Sequence, residues 1–416
     1  MALPAWLRRP HWQIFLGLGA GIAAGVFGGP AVAARVGWLG TLFITLLKMI
    51  VVPLVLASII SGVAAVGGGR SVGRMFGRTL AYYGLSSLLA ILTGLVLANL
   101  LRPGDGLEVS GLAARALPEG LATPSSLPDL LLGMVPENVV ASAARADLLA
   151  LIVFGILFGL AAGGLTGEPR ERVVGFFDAL FQTMLRLTGF VLKLAPVGVF
   201  GLVTRAVAEF GLTAFRAMLL YMAMIVLGLA VHFGLTLPAL LRIFGGRSAW
   251  RHYRAIAEPL TLAFTTSSSA ATLPATMAAV ESRVGVPRRV SSFVLPLGAT
   301  VNMDGTALYE CAGVLFIAQA IGVDLTFGQQ AVVVLTSLLA SIGAAAIPSA
   351  GLVVIFIVLE AVGLRGAQVE SIVGFMLAVD RPLDMARTAV NVASDTCAAV
   401  IVAHGEGELA DPDASG

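Results

Sequence analysis

The chain has 416 residues, of which 58% are hydrophobic and 12% are charged, and its mean hydropathy is +0.94. A soluble protein carries roughly 25% charged residues, so the composition excludes an ordinary soluble domain. The net charge of +2 does not indicate a nucleic-acid partner, because the basic residues lie in short loops between apolar runs. These runs recur at about 20 residues, the length that crosses a bilayer, and predict a polytopic helical membrane protein.

The N-terminal half contains six apolar regions. Residues 102–128 interrupt them as an irregular loop rich in Pro, Gly and Ser, and Pro136 breaks the fourth region because proline removes a helical hydrogen bond. The first region begins near Trp12, runs too long for a signal peptide and lacks a cleavage site, so no cleaved leader is expected. The regions are predicted at about 12–34, 39–66, 80–101, 129–165, 173–207 and 212–244.

Basic residues are concentrated in alternate loops. The loops at 70–78, 168–172, 242–254 and 283–289 together hold twelve arginines, whereas the other loops hold few. By the positive-inside rule, this asymmetry predicts a multi-pass protein of the cell membrane with both termini in the cytoplasm.

The pattern changes after residue 245. The apolar segment 249–282 is cut by Thr265–Ser269, and each arm is then about 12 to 16 residues long, too short to cross a bilayer. Two short arms that meet at a polar tip predict a re-entrant hairpin. The next segment, 290–321, has full length but is broken inside at Asn302–Thr306.

The same order then repeats. Residues 329–364 are cut by Gly343–Gly351, and a full-length helix follows at about 369–403. Repeated halves with interrupted helices are typical of transporters whose binding site lies at the bilayer midplane. The acidic tail from residue 405 to 416 is expected to be disordered.

The last helix carries a polar stripe. At roughly 100° per residue, one face collects Asp380, Asp384, Arg387, Thr388, Asn391 and Asp395. Charged groups inside a span are costly, so they are expected to be functional or paired. An internal ion pair between Asp384 and Arg387 is the structural alternative. It leaves the rest of the stripe unexplained, whereas a zwitterion with an extra carboxylate would use Asp384 for its ammonium and Arg387 for its carboxylate.

The break at Asn302–Thr306 predicts a cation site. Asn, Asp and Gly disfavour helix, and an unwound backbone exposes carbonyl oxygens beside Asp304. Hard cations prefer such oxygen ligands, and Asp395 with the carbonyl of Asn391 offers the same chemistry. A kink that holds one buried water is the alternative. The serines and glycines at the hairpin tips either bind an anion at helix N-termini or only cap the broken ends.

Glu310, the histidines and the serine run are the remaining residues that could carry chemistry. Glu310 lies in an apolar helix, where desolvation favours a protonated carboxyl group that can carry a proton; a hydrogen bond to a neighbouring helix is an equal alternative. The four histidines, among them His232, are scattered without metal-ligand spacing. The serine run has no GxSxG context and no histidine partner inside a span, so no enzyme activity is predicted.

Four motifs together resemble the dicarboxylate/amino acid:cation symporter family, the glutamate and aspartate transporters. The resemblance covers nearly the whole chain and is strongest from 258 to 404. The motifs occur in the family's order: TSSSAATLP (266–274), NMDGTALYE (302–310), SIGAAAIPSAG (341–351) and LDMARTAVNVASD (383–395).

The resemblance implies an all-α polytopic fold with eight transmembrane helices, two re-entrant hairpins, inverted repeats, an elevator mechanism and a homotrimer. Residues 1–78 and 102–209 would form a fixed scaffold with helices 1, 2, 4 and 5. The transport domain would comprise helix 3 (79–101), helix 6 (210–246), hairpin 1 (247–285), helix 7 (286–322), hairpin 2 as the outer gate (326–365) and helix 8 (366–404).

The resemblance also implies site residues. Substrate would contact Ser268, Ser269, Thr306, Ile347, Gly351, Asp384, Arg387, Thr388 and Asn391. One sodium site would use Asp395 with the carbonyls of Gly298, Asn302 and Asn391. A second would use Asp304 with Tyr83, Ser86, Ser87, Asn302 and Met303, and a third would use Thr300, Ser341 and Ile342.

Two departures from the family pattern matter. Archaeal members have an arginine at the position of Ser267 and animal members have one at that of Met385, whereas this chain has neither. Arg381, one turn before Met385, is a candidate substitute. Glu310 matches the animal transporters, in which this glutamate is linked to proton cotransport and potassium countertransport.

The predicted function is therefore sodium-coupled symport of L-aspartate or L-glutamate, with proton and potassium as further candidate coupling ions. A C4-dicarboxylate symporter, a neutral amino acid symporter and an anion-conducting channel are the alternatives. Asp384 argues against the first, because it would repel a second carboxylate, and Arg387 argues against the second.

Overall fold

The computed structural model describes residues 10–64, 70–105, 135–145, 148–210, 213–342 and 350–410. Within these ranges every regular element is a helix, so the all-α class is confirmed for the part of the chain that is described. The N-terminal helices are α1 (Pro10–Ala64), α2 (Arg70–Leu101), α3 (Val139–Ala144), α4 (Leu148–Gly163), α5 (Gly167–Leu192), α6 (Ala195–Phe210) and α7 (Thr213–Val231).

The remaining helices are shorter, except the last. They are α8 (Leu237–Gly245), α9 (Ala249–Ala255), α10 (Ala257–Thr266), α11 (Ser269–Ala279), α12 (Arg288–Val301), α13 (Asp304–Ala320), α14 (Phe327–Ile342), α15 (Ala350–Ala361) and α16 (Ala367–Glu406). A π-helical turn, His232–Thr236, joins α7 to α8. Pro238 follows it and cannot donate a backbone hydrogen bond to the preceding turn, which accounts for the local widening.

The helices differ from the predicted spans at two places. The first two spans were placed at 12–34 and 39–66, but the helical path breaks earlier, at Gly29, which has φ 53° and ψ −151° and precedes Pro30. A positive φ suits glycine, and proline cannot donate to the preceding turn. The fifth span, predicted at about 173–207, comprises two helices, α5 and α6, bent by 56°.

By length and apolar composition, three described helices can cross a membrane: Leu16–Ala64, Arg74–Leu101 and Arg216–Gly245. The bent pair α5 and α6 would be a fourth span. The segments that carry the predicted site are interrupted or contain charges, so they do not meet such a criterion. The eight-span topology stays a prediction.

Close helix packing assembles the N-terminal elements. Gly17, Gly21 and Gly25 are spaced by four residues, and a Cβ on any of them would collide with α6. Small residues at this spacing let two membrane helices approach closely. Helix α1 also contacts α4 and α5, whereas α2 packs on α13 and α16. The division into scaffold and transport domain remains a prediction.

The C-terminal half contains the interrupted segments. Helices α10 and α11 contact each other and are separated at Ser267, which has φ 52°, and Ser268. Helices α12 and α13 are separated at Asn302 and Met303, and α14 contacts α15 across residues 343–349, which lie outside the described part.

The predicted tail begins too early. Helix α16 continues to Glu406, and the Ala410 N–H donates to the Gly285 carbonyl oxygen at 3.0 Å. Glu406 forms salt bridges with Arg74 (Nη2 to Oε2, 2.8 Å) and with Arg78 (Nη1 to Oε1, 2.6 Å). Residues 405–410 are therefore anchored, because these contacts offset the entropy lost on ordering a chain end. Residues 411–416 lie outside the described part.

Candidate functional site

Arg387 lies at the centre of the polar stripe on α16 and is 1% exposed. Its Nη2 donates to Asp380 Oδ1 at 2.9 Å and to Asp384 Oδ1 at 3.0 Å. Its guanidinium carbon lies 3.8 Å from the centroid of the Tyr309 ring on α13, a cation–π contact. Nε and Nη1 have no hydrogen-bond partner among the described residues. A buried guanidinium with unused donors is suited to bind an oxyanion.

Asp384 is shared between two cations. Arg381 Nη1 lies 3.6 Å from Asp384 Oδ2, whereas Arg387 contacts the other carboxylate oxygen, Oδ1. We call Asp380, Arg381, Asp384 and Arg387 the paired-charge cluster. It contains two carboxylates and two guanidinium groups, so its charges balance within the protein. The structure places both Asp380, predicted on the polar stripe, and Arg381, the candidate substitute for the family's second arginine, within this cluster.

The stripe is tied to the break between α12 and α13. Asn391 Oδ1 accepts the Gly305 N–H at 2.7 Å, and Asn391 Nδ2 donates to Thr306 Oγ1 at 3.3 Å. A Cβ at Gly351, in the first turn of α15, would lie 2.9 Å from Arg387 Nη1 and 3.3 Å from Thr306 Cγ2. The second hairpin therefore lies against Nη1 of Arg387, and a side chain at position 351 would displace that guanidinium.

The other described residues expected to contact the substrate form hydrogen bonds within the protein or are buried near the stripe. The Thr388 hydroxyl donates to the Asp384 carbonyl oxygen at 2.8 Å, within α16. Ser268 Oγ accepts the Ala271 N–H at 3.2 Å and so caps α11, while Ser269 is buried. Both arms of hairpin 1 contact α16. Ile347 lies outside the described residues.

A second cluster surrounds two buried carboxylates. Ser87 Oγ donates to Asp304 Oδ1 at 2.6 Å, and Ser86 Oγ donates to Asp304 Oδ2. Asn302 Nδ2 donates to Asp395 Oδ1 at 2.9 Å and to Ser394 Oγ at 3.0 Å. We call Asp304, Asp395 and their hydrogen-bond donors the carboxylate cluster.

The carboxylate cluster has oxygen ligands available for a hard cation. Asn302 Oδ1 is buried without a hydrogen-bond partner among the described residues. A Cβ on Gly298 would overlap both Asp395 Oδ1 and the Tyr83 hydroxyl, so its backbone lies against that carboxylate. The Tyr83 hydroxyl itself donates to the Val294 carbonyl oxygen at 2.8 Å, and Met303 is buried at the break. Carboxylate, amide and carbonyl oxygens suit sodium.

Two residues expected at a third sodium site form hydrogen bonds within their own helices. Thr300 Oγ1 donates to the Leu297 carbonyl oxygen at 3.0 Å, and Ser341 Oγ donates to that of Leu338 at 2.8 Å. Thr300 lines a cavity of about 410 Å³ against α1 and α5. Helix α12 does contact α14, the helix that ends at Ile342.

Glu310 is completely buried on α13, and neither carboxyl oxygen has a hydrogen-bond partner among the described residues. An ionised carboxylate without hydrogen bonds is very costly in such surroundings, which favours the neutral form. The alternative of a hydrogen bond to a neighbouring helix is therefore not supported in this conformation.

Sequence reasoning missed His232. This residue is fully buried in the π-helical turn, and its Nε2 lies 3.0 Å from Asp304 Oδ2. The signal was an ionisable side chain inside a span, which by default is functional or paired. Metal-ligand spacing was the wrong criterion, because the partner lies 72 residues away in the chain.

Interrupted helices that meet at buried charges in a helical membrane protein are typical of secondary transporters. The sodium:dicarboxylate symporter family matches residues 11–405, and the chain belongs to this family.

Three relatives cover most of the chain. The proton/sodium-glutamate symport protein of Bacillus subtilis is 36% identical over 95% of this chain and 92% of its own length. The proton/glutamate-aspartate symporter of Escherichia coli is 36% identical over 88% and 84%, respectively. The C4-dicarboxylate transport protein of Agrobacterium fabrum is 32% identical over 97% and 89%.

Proposed function

We propose that this protein is a sodium-coupled symporter of acidic amino acids, L-aspartate or L-glutamate. The observation that carries the proposal is the buried Arg387 with two unused donors beside Asp384. The substrate's side-chain carboxylate accepts hydrogen bonds from the unused donors of the Arg387 guanidinium. Its ammonium group forms an ion pair with Asp384. The names of the Bacillus subtilis and Escherichia coli relatives support the same substrate class.

Sodium binds at the carboxylate cluster. Among the described residues, the two buried carboxylates accept hydrogen bonds from hydroxyl, amide and imidazole groups, which leaves a negative charge that a cation offsets. Asn391 joins the two clusters, because it bonds the Gly305 N–H next to Asp304 and lies one turn from Arg387. A cation that orders this break also orders the substrate contacts, so the two ligands help each other to bind.

Transport follows by alternating access. The second hairpin, whose α15 reaches Arg387 at Gly351, closes over the occupied site as the outer gate. The transport domain then moves against a trimeric scaffold. Glu310, buried without a hydrogen-bond partner in the described region, carries a cotransported proton, and potassium returns on the empty carrier.

A C4-dicarboxylate is the second candidate substrate, because the Agrobacterium fabrum relative carries that name. Asp384 disfavours it, since a second carboxylate would face a like charge where an ammonium would be attracted. Arg381, which also contacts Asp384, reduces this repulsion, so the choice between the two substrates must be measured.

Uptake into proteoliposomes under an inward sodium gradient tests the proposal. Labelled aspartate, glutamate, succinate and alanine are compared, with potassium replacing sodium as the control. Aspartate or glutamate uptake that requires sodium is expected. Uptake of succinate but of neither amino acid, or amino acid uptake indifferent to sodium, would overturn the assignment.

A further inference from the structure

Three aromatic rings follow one another away from the guanidinium group of Arg387. The Tyr309 ring lies 3.8 Å from the guanidinium carbon, and the ring of Tyr221 on α7 meets the Tyr309 ring edge to face, with centroids 6.1 Å apart and planes at 60°. Phe316 stacks on Tyr221, with centroids 4.6 Å apart and planes at 29°. We call Tyr221, Tyr309 and Phe316 the aromatic row. All three residues are completely buried. The row therefore connects α7 to the centre of the candidate site.

The sequence of α13 leaves a place for the Tyr221 ring. Tyr309, Gly313 and Phe316 are spaced by four and three residues, so they share one face of α13. Helix α7 contacts α13. A Cβ at Gly313 would lie 3.3 Å from the Tyr221 hydroxyl oxygen and 2.8 Å from Ile355 Cδ1, so glycine makes room for both side chains. A ring enclosed in a close-packed interior has little freedom to turn away from its neighbours.

The orientation of the Tyr309 ring matters because it covers the guanidinium group that would bind the substrate. The Asp380 and Asp384 carboxylates both accept from the same nitrogen of Arg387, Nη2, and leave Nε and Nη1 for a ligand. These two bonds hold one corner of the planar group, and the cation–π contact with Tyr309 holds its face. Edge-to-face packing is a preferred geometry for aromatic pairs, so Tyr221 stabilises the Tyr309 ring in this position.

We propose that Tyr221 is a positioning residue for the binding of the acidic substrate. Its ring holds the Tyr309 ring, and thereby keeps the unused donors of Arg387 in the orientation that receives a carboxylate. Tyr221 acts through Tyr309 and does not itself contact the substrate. This inference rests on the proposed function, because it assigns Arg387 to the carboxylate of a ligand. Core packing alone is the competing explanation, and it predicts less folded protein instead of weaker binding.

Calorimetric titration of the purified full-length protein with aspartate, at saturating sodium, tests the role of Tyr221. Tyr221→Leu removes the ring, and Tyr221→Phe keeps the ring but removes the hydroxyl. Phe316→Leu removes the stacking partner of Tyr221 and gives a second measurement if Tyr221→Leu is unstable. Thermal unfolding shows whether each variant is folded.

Phe158→Leu is the matched control. Phe158 and Phe177 form an edge-to-face pair with centroids 5.4 Å apart and planes at 66°, close to the geometry of Tyr221 and Tyr309. This pair joins α4 to α5, and neither helix carries a residue of the paired-charge cluster or of the carboxylate cluster. The control therefore removes a similar aromatic contact away from Arg387.

The dissociation constant for aspartate should rise about threefold to tenfold in Tyr221→Leu, the size expected for one aromatic pair, and about twofold to threefold in Phe316→Leu. The number of binding sites per folded protein should stay the same. Tyr221→Phe should keep most of the parent affinity, and Phe158→Leu should keep all of it. Sodium binding without aspartate should be unchanged in every variant, because the role concerns Arg387.

Three results would overturn the positioning role. The first is a parent affinity for aspartate in both Tyr221→Leu and Phe316→Leu. The second is a fall in the number of binding sites at constant affinity, which would reduce Tyr221 to core packing. The third is a loss in Tyr221→Phe equal to that in Tyr221→Leu, which would transfer the role from the ring to the hydroxyl.

Failure of the proposed function gives a different result. A parent protein that binds succinate and not aspartate would overturn the amino acid assignment alone, since titration of the same variants with succinate then tests the same orientation of Arg387. A folded parent protein that binds neither acidic ligand would overturn both proposals.

Discussion

The two buried polar clusters differ in how their charges are balanced. In the paired-charge cluster, Asp380 and Asp384 face Arg381 and Arg387, so opposite charges meet inside the protein. In the carboxylate cluster, Asp304 and Asp395 receive hydrogen bonds from serine, asparagine and histidine, and within the described ranges no arginine or lysine forms an ion pair with either.

This difference separates two kinds of ligand. A substrate that enters the paired-charge cluster must itself carry both signs, because it replaces internal partners on both sides. The described part of the carboxylate cluster contains no arginine or lysine and therefore favours a lone cation. Removing one partner of a buried ion pair strongly destabilises the folded protein, because the other charge stays buried without its partner. Both clusters are therefore expected to be sensitive to substitution of their charged residues.

Arg387→Ala should have the largest effect. The change removes the anion-binding group and leaves Asp380 and Asp384 with only Arg381 as a cation. Sodium-driven aspartate uptake should fall by at least about 30-fold, since truncating a buried charge partner costs about 2–5 kcal/mol. Arg387→Lys controls for charge, and thermal unfolding of both purified variants controls for folding. Normal uptake by the alanine variant would contradict the substrate assignment.

Asp304→Asn should affect the other cluster. The amide keeps the shape and most hydrogen bonds but removes the charge that attracts a cation. The sodium concentration for half-maximal uptake should rise at least about tenfold, because a charged partner contributes on the order of 1.5–3 kcal/mol. Ser394→Ala, which removes a neighbouring hydroxyl without charge, serves as the control. An unchanged sodium dependence would remove Asp304 from the cation site.

His232→Ala tests the residue that the sequence did not reveal. The imidazole holds Asp304 from the π-helical turn after α7, so its loss should weaken sodium activation about fivefold to tenfold, equivalent to roughly one buried hydrogen bond. Rescue by His232→Gln, whose amide can donate to the same oxygen, would distinguish positioning from a simple packing defect. Equal sodium activation in the parent, His232→Ala and His232→Gln proteins would show that the contact between His232 and Asp304 has no role in coupling.

Glu310→Gln tests proton coupling separately from both clusters. Parent uptake should rise as the external solution is acidified over about two pH units, because the proton enters with the substrate. The glutamine variant cannot take up a proton and should show uptake that is nearly flat across the same range. Equal pH sensitivity in both proteins would exclude Glu310 as the proton carrier.

Arg381→Ala should have the smallest effect. Its contact with Asp384 is long, 3.6 Å, and 19% of its side chain remains exposed. Because Arg381 competes with the substrate ammonium for Asp384, its removal should tighten aspartate binding a few-fold, in line with less than about 1 kcal/mol for a partly solvated pair. Calorimetric titration measures the change, and weaker binding would show that Arg381 helps to hold the substrate.

The sequence predicted the features that depend on local chemistry. The breaks near Ser267 and Asn302 and the long final helix follow from residue type and hydrophobic length. The Gly29–Pro30 break also had a local signal, but the apolar composition continues across it. The His232–Asp304 contact and the second cation on Asp384 depend on tertiary packing and rotamer, which hydrophobic periodicity does not specify.

Aspartate binding to the purified protein, measured by calorimetry with and without sodium, tests the two-cluster account most directly. The account predicts tight binding only with sodium in the parent, sodium binding without aspartate binding in Arg387→Ala, and weakened binding of both in Asp304→Asn. Aspartate binding of equal strength with and without sodium in the parent protein would contradict it.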